Sequence, residues 1–143
     1  MLFRSGGVGY TDRTTQVLAN SFNQINGSAA IKAPFGTSLQ AAYGVRNFET
    51  LNRQDAEFWW VKLGQEFAAL LPWGYTAFSV DYAHTEDQGT NGTEGRWVSF
   101  AAVQQIKKAA TELFFSLGDF DVDIPNIPTD EIFFATLGAR VKF

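Results

Sequence analysis

Few side chains in this sequence have the type and spacing that chemistry requires. The single histidine, His84, stands close to Glu86 and Asp87, with no second His and no Cys to complete a metal site. It reads as a rim residue at a strand end. The stretch DFDVDI at 119–124 resembles the start of a calcium loop, but Ile124 falls where an EF-hand needs Gly, so its acids read as solvated loop carboxylates. SGGVG at 5–9 lacks the Lys and Ser/Thr that finish a phosphate loop, and no GxSxG elbow occurs. The sequons NGS at 26 and NGT at 91 matter only in a eukaryotic secretory setting. No enzyme, metal or cofactor is expected.

What is left is fixed charge displayed on a patterned surface. The net charge is −4 and no basic run occurs, which argues against a nucleic-acid partner. The chain has 143 residues, 45% of them hydrophobic, enough for one domain. Its 14 Phe, 4 Trp, 4 Tyr and 13 Gly, with only 18% charged residues, favour strands over helices. The absence of Cys leaves the redox compartment open. No stretch of about 18 apolar residues suggests a membrane helix, and MLFRSGGVGYTDR has no signal-peptide core, so any membrane span must be β.

The elements that position the charges follow from an apolar/polar alternation of period two. Strands are expected at 24–34, 37–48, 57–68, 74–86, 95–107, 111–122 and 131–143. Residues 1–23 read as a loop remnant or a partial strand, the latter leaving room for an eight-stranded small barrel. In the last block Phe133, Ala135, Leu137, Ala139, Val141 and Phe143 share one face, with Thr136, Gly138, Arg140 and Lys142 on the other. The earlier blocks set Ile25, Ala29, Ile31 and Phe35 against Lys32, and Leu39, Ala41, Tyr43 and Val45 against Ser38, Gln40 and Arg46. Trp59, Val61, Leu63 and Phe67 oppose Lys62, Gly64 and Glu66, with Trp60 as an exception, and Phe78, Val80 and Tyr82 oppose Ser79 and Asp81. The hairpin over 95–122 takes no assigned facing, because Phe114 and Phe120 fall on the side of Glu112 while Leu113, Phe115 and Leu117 fall opposite.

Short connections near 34–37, 68–74 and 107–111 alternate with longer polar ones near 48–57, 86–95 and 122–131. In an up-and-down sheet this puts tight turns at one end and large loops at the other. Eleven of the fifteen acids (Glu49, Asp55, Glu57, Glu86, Asp87, Glu94, Asp119, Asp121, Asp123, Asp130, Glu131) fall in or beside the long connections. Aromatics are expected as two belts, with Phe35, Phe67, Trp73, Tyr75 and Phe143 towards the turns and Phe58, Trp59, Tyr82, Trp97 and Phe133 towards the loops. A soluble barrel or sandwich binding a small apolar ligand fits the same alternation with the apolar face turned inward.

The ending ATLGARVKF, TAFSVDY at 76–82 and VQQIKKAATELFFSL at 103–117 resemble late strands and a periplasmic turn of the general porins of Gram-negative bacteria, over about residues 24–143. The resemblance implies a transmembrane antiparallel β-barrel of roughly sixteen strands, of which this chain is the C-terminal portion. It further implies a homotrimer in the outer membrane, in contact with its lipid and lipopolysaccharide, passing small hydrophilic solutes and ions by passive diffusion. It also implies that Ala135, Leu137, Ala139, Val141 and Phe143 form the C-terminal signal read by the outer-membrane assembly machinery. The acidic loops could hold divalent cations that bridge to lipopolysaccharide. In a complete barrel the polar face lines the channel, which places Lys32, Gln40, Arg46, Lys62, Glu66, Asp81, Arg140 and Lys142 there; five basic against two acidic residues predict a mild anion preference.

Overall fold

The computed structural model describes residues 2–13, 21–49 and 52–141. Eight strands are found there: β1 (Phe3–Arg13), β2 (Phe22–Lys32), β3 (Thr37–Phe48), β4 (Ala56–Leu71), β5 (Gly74–Glu86), β6 (Glu94–Ile106), β7 (Thr111–Asp123) and β8 (Ile132–Val141). They form one antiparallel sheet in chain order, each strand paired with its sequence neighbour. The seven expected strands are therefore present within a few residues of their expected bounds. The eighth, β1, occupies the segment that the sequence left between loop remnant and partial strand, and pairs with β2 from Phe3↔Lys32 to Arg13↔Phe22.

The turn end is built from short connections. Gly36 adopts φ +95, and a Cβ there would strike the Glu66 carbonyl, so the β2–β3 turn requires glycine. Pro72 and Trp73 turn β4 into β5, and a 3₁₀ turn at Lys107–Ala109 ends on Ala110 in the left-handed region. At the other end lie the longer β3–β4, β5–β6 and β7–β8 connections, where Asn52, Asp87 and Asn126 take positive φ. Asn and Asp enter that region more readily than most residues.

The ladder is staggered. One row of directly paired residues runs Gly6, Ala29, Ala41, Val61, Tyr82, Val98, Asp119, Phe133. It starts near the turn end of β1 and finishes at the loop end of β8, so the strands slant across the rows, the shear that a barrel wall needs. The sheet is not closed: no ladder joins β8 to β1 among the described residues. Among the described residues it also lacks a second layer. Ala56 is the one apolar side chain counted as buried among the described residues, so the sheet has no hydrophobic core of its own.

Candidate functional site: two unlike faces of one sheet

The register assigns the ladder-paired residues to faces. One face carries Val8, Ile25, Leu39, Tyr43, Trp59, Leu63, Val80, Tyr82, Val98, Phe100, Leu113, Phe115, Leu137 and Val141. This face is the more exposed one: Leu137 is 80% exposed, Leu63 51% and Val80 47%. A contiguous apolar surface spread over eight strands far exceeds what a water-soluble monomer leaves open. Polar residues close the same face at both ends. Asn23, Asn47, Glu57, His84, Arg96 and Asp121 border it at the loop end, and Thr37, Gln65, Thr76, Gln104 and Thr111 at the turn end.

The turn-end border uses one device twice. Thr37 Oγ1 donates to Gln65 Oε1 at 2.5 Å, and Gln65 Nε2 donates to the Phe35 and Glu66 carbonyls at 3.1 and 2.9 Å. Thr76 donates to Gln104 Oε1 at 2.6 Å, and Gln104 Nε2 to the Tyr75 and Gln105 carbonyls at 3.2 and 2.8 Å. Each glutamine thereby satisfies backbone carbonyls where the ladder gives way to a turn. Sequence pattern alone does not reveal these Thr–Gln pairs, because they depend on register.

The opposite face is polar, and along β3, β4 and β6 its side chains are the more covered, while β1 is exposed on both faces. The polar face carries Lys32, Gln40, Arg46, Lys62, Glu66, Asp81 and Arg140, which the register brings to one side as expected. Lys142 and Phe143 lie outside the described residues. Ala135, Leu137, Ala139 and Val141 share the exposed apolar face of β8. Most of the charges are paired: Lys32 Nζ lies 2.8 Å from Glu66, and Lys62 Nζ 3.8 Å from Asp81. Asp81 also accepts from Trp97 Nε1 at 3.0 Å and Ser99 Oγ at 2.9 Å. Arg140 forks onto Glu112, to which the Tyr75 hydroxyl also donates at 3.3 Å. Glu112 is only 4% exposed, and the sequence reading did not place it at the site.

The facing of the 95–122 hairpin follows from the ladder. Glu112, Phe114, Ser116, Gly118 and Phe120 point to the polar side, with Leu113, Phe115 and Leu117 opposite. The aromatic rings on the polar side have a packing role. Phe58 lies over Gly44, Phe114 over Gly138 and Phe134 over Gly118, each pair directly opposed in the ladder. Phe134 further stacks on Trp97 at 4.9 Å, and Trp97 meets Phe120 at 6.1 Å. The rings fill the space that glycine leaves in a strand. Of the aromatics expected in two belts, Phe58, Trp97 and Tyr75 face the polar side. Trp59, Tyr82, Phe67 and Phe133 stay on the apolar face, where Trp59 stacks on Tyr82 at 4.9 Å.

At the loop end the connections are tied together. Asn91 Oδ1 accepts from the Gln54 N–H at 2.9 Å while its Nδ2 donates to the Asn52 carbonyl at 2.6 Å. Arg53 donates to the Gly89 carbonyl at 3.1 Å and lies 3.6 Å over the Phe48 ring. His84 sits at the rim as expected, 2.9 Å from Glu86 and 6.0 Å from the Trp59 ring. No cluster of metal-ligating side chains occurs among the described residues.

Compared with known proteins, the chain matches no family model, no curated protein and no solved structure.

Proposed function

We propose that this sheet is a wall segment of a porin-type β-barrel in the bacterial outer membrane, apolar face to lipid and polar face to a water-filled channel. Through that channel small hydrophilic solutes and ions would diffuse passively. One observation carries the reading: the apolar face is the exposed one, bounded at both ends by polar residues, on a sheet without a second layer. Nothing in water stabilises such a face, whereas hydrocarbon does. The staggered ladder and the division into a turn end and a loop end support the same reading. The free edges at β1 and β8 have to be paired in such a wall, with each other or with further strands, because unpaired backbone groups are not tolerated in lipid.

The general-porin resemblance extends the proposal to a homotrimer of roughly sixteen-stranded barrels, delivered by the assembly machinery that reads the C-terminal strand, with lipopolysaccharide around the acidic loops. A soluble ligand-binding barrel requires the apolar face to point inward, the reverse of the observed exposure. The test is reconstitution in a planar bilayer, alone and extended by additional N-terminal strands. Ohmic steps from either form support the pore. Full solubility without detergent, together with silence of both forms in the bilayer, contradicts it.

A further inference from the structure

We propose that Arg46, with Arg13 two strands away at the same end of the sheet, forms an anion-contact point at the loop end of the polar face and sets a preference for small hydrated anions such as chloride and inorganic phosphate. The inference rests on the reading that the polar face borders water. Its basis is the ion-pair census. Among the strand residues that the ladders place on that face, the bases are Arg13, Lys32, Arg46, Lys62 and Arg140 and the acids are Glu66, Asp81 and Glu112, while Arg53 from the β3–β4 loop also lies over the Phe48 ring. Among the described residues each acid pairs with a base: Glu66 with Lys32, Asp81 with Lys62, Glu112 with Arg140. The basic excess read from the sequence is thereby cancelled along most of the wall. The two strand arginines left over lie at the same end of the face, on β1 and β3 either side of β2: Arg13 pairs with Phe22 in the ladder, and the Arg46 guanidinium lies over the Phe22 ring.

Arg46 is held in place without being neutralised. Its Nε and Nη2 both donate to Gln24 Oε1, at 3.0 and 2.9 Å, and its guanidinium carbon lies 4.7 Å from the Phe22 ring centroid. Phe22 is in turn braced edge-on by Phe48, with ring centroids 6.3 Å apart. An amide oxygen and an aromatic face orient the guanidinium while leaving its full charge. Nη1 takes no acceptor among the described residues and keeps its N–H groups for a passing anion, and a planar guanidinium suits oxyanions especially well. A positive pair of this kind in a narrow aqueous passage biases which ion enters.

The test compares the wild-type chain with R46Q, R46K and R13Q/R46Q in two ways. In planar bilayers under a potassium chloride gradient, the reversal potential is expected to favour chloride in the wild type and R46K. It should move towards parity in R46Q and reach parity or cation preference in R13Q/R46Q. An unchanged reversal potential in R46Q, with channels still open, overturns the inference and leaves the pore reading intact. Independently of any pore, the detergent-folded chain is titrated with inorganic phosphate and the ³¹P line width followed. Broadening by the wild type that is lost in R46Q supports the contact point even if no conductance is seen, a result that would count against the pore alone. Equal broadening by both proteins overturns it.

Discussion

Replacing Val80 by Arg places a charge at the centre of the apolar face. Val80 lies four residues from the rim at Thr76 and four from the rim at His84, between Leu63 and Phe100 in the ladder. At about 3.3 Å per residue each rim is ~13 Å away along the strand, or roughly 10 Å in depth at a tilt of about 40°. An arginine at the middle of a lipid-facing barrel surface costs about 2–4 kcal/mol, against about 0–1 near the interface. That is a roughly thirty- to several-hundred-fold shift in the folding equilibrium. On a surface bathed in water the same change would cost well under about 1 kcal/mol. Ser79→Arg, one residue away on the polar face, is the matched control and should also stay within about 1 kcal/mol. The assay is urea unfolding in phospholipid vesicles followed by tryptophan emission. Equal midpoints for Val80→Arg and Ser79→Arg would refute the assignment of the apolar face to lipid.

Gly118→Ala should destabilise the fold by about 1–3 kcal/mol, because the new methyl meets the Phe134 ring and that ring is pinned on Trp97; Phe134→Leu in the same chain should recover most of the loss in a double-mutant cycle. Arg140→Ala removes the forked, charge-assisted hydrogen bonds to the nearly buried Glu112 carboxylate and should cost about 1.5–3 kcal/mol by the same unfolding assay, with Glu112→Gln in the Arg140→Ala background restoring part of it. Asn91→Ala removes two hydrogen bonds between the loops, at about 1 kcal/mol each, and should raise trypsin cleavage after Arg53 about tenfold or more while cleavage elsewhere is unchanged.

The alternation made most of the sheet legible. From Ile25 onward nearly every strand presents aliphatic or aromatic residues at every second position, and period two survives in the ladder. β1 was harder to read because Gly6, Gly7 and Gly9 have no side chains to alternate, leaving Val8 and Tyr10 as its only large apolar residues on that face. The 95–122 hairpin resisted for the opposite reason. Phe114 and Phe120 read as apolar-face residues by type, yet they belong to a packing scheme in which rings cover glycines and neighbouring rings on the polar side. The opposition of Gly138 to Phe114 and of Gly118 to Phe134 would have exposed it, but it needs the β7–β8 register. Pairings of charge are likewise set by register: Lys32 reaches Glu66 two strands away, past Ser38. The sequence named the charged residues of the polar face, apart from Arg13 and Glu112, and could not say which of them cancel.

The most direct test of the two-faced sheet uses the absence of native cysteine. Single cysteines at each position from Ala77 to Tyr82 in β5, spin-labelled and reconstituted in vesicles, report contact with dissolved oxygen, which concentrates in hydrocarbon, and with a water-borne nickel chelate. Labels at 78, 80 and 82 are predicted to favour oxygen and those at 77, 79 and 81 the chelate, alternating residue by residue. Uniform access of all six positions to the chelate, or an alternation of opposite phase, would contradict the account.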